Sequence, residues 1–204
     1  MDYTYAFENR KECLEKYEWD NVWWDSADSE GIPRVLYIGD SISCMTRRVA
    51  TAEAENTLLF DGVGTSKAVD NPYFPMTVHN FALQEADRCA VLFNNGLHGW
   101  HLEDKTEYKE CYEKMIQFLL KEFSGAPVFL VLTTAVADEE RNSRVIARNE
   151  VVLELAEAYG LPVVDLYSVT DGHRELISAD GVHLLPEGYK LLAKKIVSAV
   201  KEKI

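Results

Sequence analysis

The chain has 204 residues, 47% of them hydrophobic and 27% charged, which is enough for one soluble globular domain with a sizeable core. Its 21 Lys and Arg against 34 Asp and Glu give a net charge of −13, which argues against binding to nucleic acid or to an anionic membrane surface. No apolar stretch approaches the roughly 20 residues of a membrane span. The first twenty residues also lack the apolar core of a signal peptide, so we expect a cytoplasmic protein unless a signal was trimmed.

The first thirty residues differ from the rest of the chain because they are acidic and rich in aromatic side chains. Since aromatic residues are mostly buried, we expect this segment to cover the edge of a sheet. Two alternatives are a platform on which a sugar stacks and a homo-oligomer interface. We therefore predict an N-terminal extension at residues 1–30 that packs on a single domain at residues 31–204. The aromatic residues are Tyr3, Tyr5, Phe7, Tyr17, Trp19, Trp23 and Trp24.

Short β-rich segments alternate with helical patterns in the rest of the chain. Five nearly continuous apolar runs are typical of strands buried on both faces of a parallel sheet. Helical periodicity covers Asp104–Phe123 and Asn142–Tyr159, and it returns from Pro186 onward. The alternation predicts a three-layer α/β/α sandwich with a mostly parallel five-stranded sheet. The predicted strands are Arg34–Ile38, Thr57–Phe60, Cys89–Phe93, Val128–Leu132 and Pro162–Leu166.

A serine follows the first predicted strand, in the sequence Gly39-Asp40-Ser41. A hydroxyl at the carboxyl end of a strand and the amino end of a helix lies where α/β proteins bind ligands, beside free backbone N–H groups. Ser41 is therefore a candidate nucleophile. The alternative is that Asp40 or Ser41 only caps a helix that begins near Ile42.

An aspartate precedes a histidine by three residues in the sequence Asp180-Gly181-Val182-His183, shortly before the last predicted helix. A carboxylate on such a turn can hold Nδ1 of the imidazole, so that Nε2 can accept a proton from a serine. The pattern is short, however. An Asp-Gly turn followed by Pro186 at a helix start is the structural alternative.

Two further polar loops follow predicted strands at the same edge of the sheet. Gly62 and Gly64 follow the second strand, where glycine lets the backbone approach a substrate oxygen closely. Asn94 and Asn95 follow the third strand, and an asparagine amide is a suitable donor to the oxyanion of acyl transfer. Gly-x-Gly and Asn-Gly sequences are also ordinary turn chemistry.

Serine, glycine, asparagine and Asp-x-x-His occur in this order along the chain, and together they resemble the pattern of the SGNH (GDSL-type) hydrolase family. The resemblance runs from Arg34 to the C terminus and is most specific in the segments IGDSIS and DGVHLLPEGYKLLA. It leaves the first thirty residues unmatched. The SGNH/flavodoxin-like fold that it implies agrees with the predicted sandwich.

The resemblance implies a serine esterase that acts through an acyl-enzyme without a metal. In such an enzyme Ser41 would be the nucleophile, His183 its general base and later its acid, and Asp180 the carboxylate that orients His183. The Ser41 amide, Gly64 and Asn94 would form the oxyanion hole.

Two departures from the family pattern keep alternatives open. The third family motif usually reads Gly-x-Asn-Asp, whereas this chain has Leu92-Phe93-Asn94-Asn95, so Asn95 is the alternative donor. Gly62 is likewise the alternative to Gly64, although Gly64 fits the spacing better.

Three residues that flank these motifs, Asp40, His98 and Trp100, are candidate substrate-binding residues. Because aromatic rings suit the apolar faces of sugars, we expect a short-chain ester, such as an acetyl ester of a carbohydrate or another small molecule. The alternatives are a thioesterase or lysophospholipase, and a catalytically weak ligand-binding module on the same scaffold.

We expect no cofactor and no metal. The four cysteines lie far apart without a CxxC pair, which favours reduced thiols. His98 and His101 lie near Glu103, which suggests a metal site, but two histidines in a loop more often bind backbone groups or solvent. The expected partner is a small-molecule or carbohydrate ester substrate, with no nucleic acid or membrane.

Overall fold

Six strands form one sheet in the computed structural model, which describes residues 14–84 and 88–204. The order across the sheet is β1-β3-β2-β4-β5-β6. All neighbouring strands are parallel except β1, which pairs antiparallel with β3. The predicted fold class is confirmed. The strands are β1 (Asp20–Trp23), β2 (Arg34–Gly39), β3 (Leu59–Thr65), β4 (Arg88–Phe93), β5 (Val128–Val131) and β6 (Val163–Val164).

The predicted count of five strands is wrong because β1 was not predicted. All four residues of β1 are exposed, so it lacks the apolar run by which the buried strands are recognised. It is an edge strand that belongs to the N-terminal segment. Three of the aromatic residues of that segment, Tyr3, Tyr5 and Phe7, lie outside the described residues.

Helices cover both faces of the sheet. Alternate residues of β2 point to opposite faces. Leu36 and Ile38 belong to a buried apolar cluster with residues of α2, α3 and α4, whereas Val35 and Tyr37 belong to a cluster with residues of α1 and α6. The helices are α1 (Ser41–Glu53), α2 (Phe74–Ala82), α3 (Lys105–Glu122), α4 (Glu139–Tyr159), α5 (Tyr167–Thr170) and α6 (Pro186–Lys201), with a 3₁₀ turn at Arg174–Leu176.

The second predicted strand, Thr57–Phe60, lies further along the chain as β3. Gly62 and Gly64 are therefore inside a strand and not in the loop after it. Glycine is required at both positions because α1 packs closely on this strand. A Cβ atom at Gly62 would collide with the side chain of Arg47, and one at Gly64 would collide with Sγ of Cys44.

A buried ion pair joins the N-terminal segment to the sheet. Arg34 in β2 donates through Nε and Nη2 to the two carboxylate oxygens of Asp61 in β3, at 2.8 and 2.7 Å. Asp25 completes the contact, because its N–H donates to Asp61 and its carbonyl oxygen accepts from Arg34. Nearby, the ring of Trp24 stacks on Phe81 with centroids 4.0 Å apart. The chain between β1 and β2 is thus fixed by charge and by apolar contact.

No helix within the described ranges has the length and apolar character that a membrane span requires.

Replacing Asp61 by Ala is expected to lower the free energy of unfolding by about 3–5 kcal/mol, because it removes the carboxylate that neutralises a buried guanidinium. Urea unfolding followed by circular dichroism measures this change. Lys190→Ala is the control, since it breaks an exposed pair with Glu187 and should cost about 0–1 kcal/mol. Equal losses in the two variants would show that the Arg34–Asp61 pair does not stabilise the fold.

Candidate active site

Ser41, His183 and Asp180 form a chain of hydrogen bonds, although Ser41 and His183 are 142 residues apart in sequence. Oγ of Ser41 lies 2.8 Å from Nε2 of His183, and Nδ1 of His183 lies 2.7 Å from Oδ2 of Asp180. A carboxylate can only accept, so Nδ1 carries the proton and Nε2 is left to accept from the Ser41 hydroxyl. This arrangement is the one that activates a serine as a nucleophile.

The junction between β2 and α1 positions Ser41. Oδ1 of Asp40 accepts a hydrogen bond from the N–H of Ile42 at 2.9 Å and so caps the helix. Ser41 is the first residue of α1, and its N–H has no partner within the helix. The capping interpretation therefore holds for Asp40, while the hydroxyl of Ser41 is left for His183.

Asp40 itself lies in the protein interior. Its side chain is 1% exposed and lines a small internal cavity with Tyr37, Asn94 and Thr134, whereas the two larger pockets beside Ser41 do not include it. Burial raises the pKa of Asp40. The structure thus places this predicted substrate-binding residue outside the two pockets that contain Ser41.

A tight turn holds Asp180. Its Oδ1 accepts from the N–H groups of Val182 and His183, each at 2.9 Å, and from Oγ of Ser178 at 2.8 Å. The hydrogen bond from the Val182 N–H has the largest effect on the pKa of Asp180. With those from the ring and N–H of His183 and from Ser178, it holds this pKa well below its usual range. Gly181 has a φ of 81°, which favours glycine at this position. Asp180 is therefore an ionised carboxylate aimed at Nδ1 of His183.

The predicted oxyanion donors make hydrogen bonds elsewhere. Nδ2 of Asn94 donates to the carbonyl oxygen of Val131 at 2.8 Å and to Oγ1 of Thr133 at 2.9 Å. Nδ2 of Asn95 donates to the carbonyl oxygen of Lys67 at 2.8 Å. Both amide hydrogens of Asn94 are thus in use, and its role as an oxyanion donor stays a prediction.

Two pockets meet at Ser41 and His183. The first has a volume of about 400 Å³ and mostly apolar walls, and the second has a volume of about 260 Å³. Substrate groups on either side of a scissile bond at Ser41 would therefore find space in different pockets. The first is also lined by Trp19, Asn21, Cys44, Met45, Leu184 and Tyr189, and the second by Leu97, His98, Trp100, Val136, Arg141, Asp180 and Val182.

The described aromatic residues of the N-terminal segment lie in different environments. Trp24 packs on Phe81 and covers the sheet, whereas Trp19 lines the first pocket. Trp23 is 40% exposed on β1, and Tyr17 is 74% exposed. The segment therefore both covers the fold and contributes one ring to the pocket beside Ser41.

His98 and Trp100 lie on the loop that walls the second pocket. Nδ1 of His98 is 3.5 Å from Oε1 of Glu15, and its ring meets Trp19 edge-on. The guanidinium groups of Arg144 and Arg141 lie over the Trp100 ring, at 4.9 and 5.4 Å from its centroid. The structure thus brings both predicted substrate-binding residues to a pocket that contains Ser41.

Three arginines of α4 hold this loop, and they were not predicted. Arg148 is buried and donates to four loop carbonyl groups, and Arg144 donates to the carbonyl oxygen of Trp100. With Arg141 they lie three and four residues apart, so they share one face of the helix. That spacing is the signal by which the sequence could have indicated them. The carbonyl groups bound by Arg148 belong to Gly96, His98, Gly99 and Leu102.

The residues considered for a metal site do not converge. Nε2 of His101 lies 2.8 Å from Asp70, whereas His98 faces Glu15 and Glu103 lies 3.9 Å from Arg144. In the part of the chain that the structure describes, no three His, Cys, Asp or Glu side chains are grouped so that they could hold an ion.

Comparison with known proteins identifies a family whose model matches most of the chain. The model of the GDSL-like Lipase/Acylhydrolase family matches residues 38–191. A Bacillus subtilis (strain 168) protein named "Putative peptidoglycan O-acetyltransferase YrhL" is 38% identical over 87 residues. That match covers 42% of this chain and 13% of the relative, so the chain spans a small part of that protein.

Two solved structures have the same fold. A GDSL-like lipase from Bacteroides thetaiotaomicron VPI-5482 superimposes with a TM-score of 0.68 at 16% identity, over 84% of this chain and 89% of the other. The acetyl xylan esterase AlAXEase superimposes with a TM-score of 0.67 at 19% identity, over 82% and 99%. At these identities the similarity shows the fold alone.

Replacing Asp180 by Asn is expected to slow the labelling of Ser41 by a fluorophosphonate by a factor on the order of 10³, because an amide no longer fixes the proton on Nδ1 of His183. Labelling followed by mass spectrometry measures the rate. Ser178→Ala removes one hydrogen bond to Asp180 but keeps the carboxylate, so it should label at nearly the normal rate. Unchanged labelling of Asp180→Asn would exclude Asp180 from the activation of Ser41.

Proposed function

Because the chain belongs to the GDSL-like lipase/acylhydrolase family, we propose that it hydrolyses short-chain O-acyl esters of carbohydrates or other small molecules through an acyl-enzyme on Ser41. The observation that carries the proposal is the chain of hydrogen bonds from Ser41 through His183 to Asp180, at 2.8 and 2.7 Å. An ester-acting hydrolase of this family needs an activated hydroxyl, and Ser41 is the one that His183 contacts.

In the first half-reaction, Oγ of Ser41 attacks the carbonyl carbon of the ester while Nε2 of His183 takes the hydroxyl proton. The carbonyl oxygen becomes an oxyanion near the N–H of Ser41. The tetrahedral intermediate then collapses as His183 gives its proton to the leaving alkoxide. An alcohol departs and the acyl group stays on Ser41.

In the second half-reaction, a water molecule attacks the acyl-enzyme and gives its proton to Nε2 of His183. The C–O bond to Ser41 breaks, His183 returns the proton to Oγ, and a carboxylic acid departs. Asp180 keeps its negative charge throughout, because its hydrogen bonds hold its pKa far below neutrality. Each step uses only side chains, one backbone N–H and water.

The lining of the second pocket favours a ring-shaped alcohol. The second pocket combines the Trp100 ring with polar groups of His98 and Arg141, a combination that suits a sugar. One structural neighbour is named an acetyl xylan esterase, and the B. subtilis relative bears the name of a peptidoglycan O-acetyltransferase. Both names concern acetyl groups on carbohydrates, which supports an acetylated sugar as the substrate class.

A second candidate function is acyl transfer, which the name of the B. subtilis relative favours. A sugar hydroxyl would then replace water in the second half-reaction, with the same role for His183. Adding an alcohol acceptor such as methyl glucoside to a hydrolysis assay with p-nitrophenyl acetate distinguishes the two functions. A transferase forms an acetylated acceptor, whereas a hydrolase releases acetate at an unchanged rate.

Replacing Ser41 by Ala is expected to lower ester turnover by about three orders of magnitude or more, since the nucleophile is lost. The assay uses p-nitrophenyl acetate, butyrate and octanoate with a chelator present, and thermal unfolding of the variant should match the wild type. We expect the acetate to be turned over fastest.

Each result of this assay separates two hypotheses. Turnover that survives in Ser41→Ala would remove Ser41 from the mechanism. Preference for octanoate would favour the lysophospholipase alternative, and loss of turnover with the chelator would contradict a metal-independent reaction. A wild-type protein that turns over no ester and is not labelled by a fluorophosphonate would support the ligand-binding module.

A further inference from the structure

Strand β1 places an asparagine in the wall of the apolar pocket that contains Ser41. Asn21 is the partner of Gly64 in the pairing of β1 with β3, and it lines the apolar pocket together with Ser41 and His183. It lies before residue 38, where the family match begins. Side chains alternate along a strand, so Asn21 points to the face that α1 covers. Its contact with Arg47 of α1 agrees with this direction.

Arg47 fixes the orientation of the Asn21 amide. Arg47 is completely buried, and its Nη2 donates to Oδ1 of Asn21. A guanidinium has only donors, so it can face the carbonyl oxygen of the amide but not its nitrogen. The two hydrogens on Nδ2 therefore point away from Arg47. They have no hydrogen-bond partner within residues 14–84 and 88–204.

The pairing of β1 with β3 also removes a donor that the family pattern assigns. The N–H of Ser66 donates to the carbonyl oxygen of Trp19. Hydrogen-bonded pairs alternate along an antiparallel ladder, so the pair two residues further on, Asn21 and Gly64, is also of the hydrogen-bonded type. The N–H of Gly64 thus faces β1. Since both amide hydrogens of Asn94 are used as well, the N–H of Ser41 is the remaining donor of the three.

We propose that Nδ2 of Asn21 donates a hydrogen bond to the oxyanion that forms when Ser41 attacks an ester, beside the N–H of Ser41. This inference rests on the proposed function. Asn21 would then take the donor role that the pattern assigns to Gly64 and Asn94, from the wall of the pocket that contains Ser41. The positive charge of Arg47 on Oδ1 polarises the amide and strengthens Nδ2 as a donor. A strand outside the family match thus completes the site.

Two substitutions of Asn21 test the proposal. Asn21→Ala is expected to lower kcat for p-nitrophenyl acetate roughly 100-fold with a smaller change in KM, since a donor used in the transition state is lost. Asn21→Asp keeps an oxygen for Arg47 but has no amide hydrogens and adds a negative charge beside the oxyanion. It should lose at least as much kcat as Asn21→Ala. Val22→Ala is the control, because Val22 is exposed on the other face of β1.

A purely structural role of Asn21 would reverse the order of kcat in the two variants, so that Asn21→Asp would be more active than Asn21→Ala. If Asn21 only held Arg47, Asn21→Asp would keep wild-type kcat and Asn21→Ala would lose stability together with activity. That order, or a wild-type kcat in Asn21→Ala, overturns the proposal. Asn94→Ala and Asn95→Ala are measured beside them. A kcat loss confined to Asn94→Ala would return the donor role to Asn94.

Labelling by a fluorophosphonate separates failure of the inference from failure of the proposed function, because it needs no ester substrate. A wild-type protein that is not labelled at Ser41 would overturn the serine hydrolase and the Asn21 donor together. A wild-type protein that is labelled, with Asn21→Ala labelled at the same rate, would overturn the Asn21 donor alone. Slower labelling of Asn21→Ala and Asn21→Asp, but not of Val22→Ala, is the expected result.

Discussion

The parallel pairing of β2 with β3 and β4 is the constraint on which the candidate site depends. Parallel strands end at the same edge of a sheet, so the segments that follow them must meet there. Ser41 follows β2, and Asn94 follows β4. His183 reaches the same edge from the start of α6, whose apolar face packs with α1 on one side of the sheet. The 2.8 Å contact between His183 and Ser41 results from this packing.

Ion pairs and hydrogen bonds of the N-terminal segment fix β1 as a wall at the same edge of the sheet. The buried pair of Arg34 and Asp61 holds the chain after β1, and Glu18 accepts from Ser66 before it. β1 is thereby fixed along β3, although none of its four residues is buried. This wall brings Asn21 and Trp19 into the apolar pocket beside Ser41. Buried arginines hold the neighbouring elements in the same way, with Arg47 on Asn21 and Arg148 on the loop of His98.

The layered fold follows from local sequence patterns, and so does the turn that joins Asp180 to His183, whereas the contact between His183 and Ser41 joins residues 142 positions apart. Continuous apolar runs identify buried strands, and the Asp180 turn needs only the four residues from Asp180 to His183. β1 has no such pattern because it is short and exposed. Its strand conformation comes from pairing with β3, which is more than thirty residues away in sequence.

The direction of an amide group cannot be predicted from neighbouring residues either. The hydrogen bonds of Asn94 go to Val131 and Thr133, which lie 37 and 39 residues along the chain. Asn21 meets an arginine that lies 26 residues away and is buried by the packing of α1 on Gly62. Motif position therefore pointed to Asn94 and Asn95 and missed Asn21, whereas the tertiary structure shows which amide lines the pocket with Ser41 and which amides are already hydrogen-bonded.

Trapping the acyl-enzyme tests the central claim most directly. The protein is mixed with p-nitrophenyl acetate, quenched in acid within its first turnovers, digested and examined by mass spectrometry. The account predicts one acetyl group on the peptide that contains Ser41, assigned by fragmentation to Ser41 itself and absent from Ser41→Ala. An acetyl group on another residue such as Cys44, or steady turnover with no acetylated peptide, would contradict it.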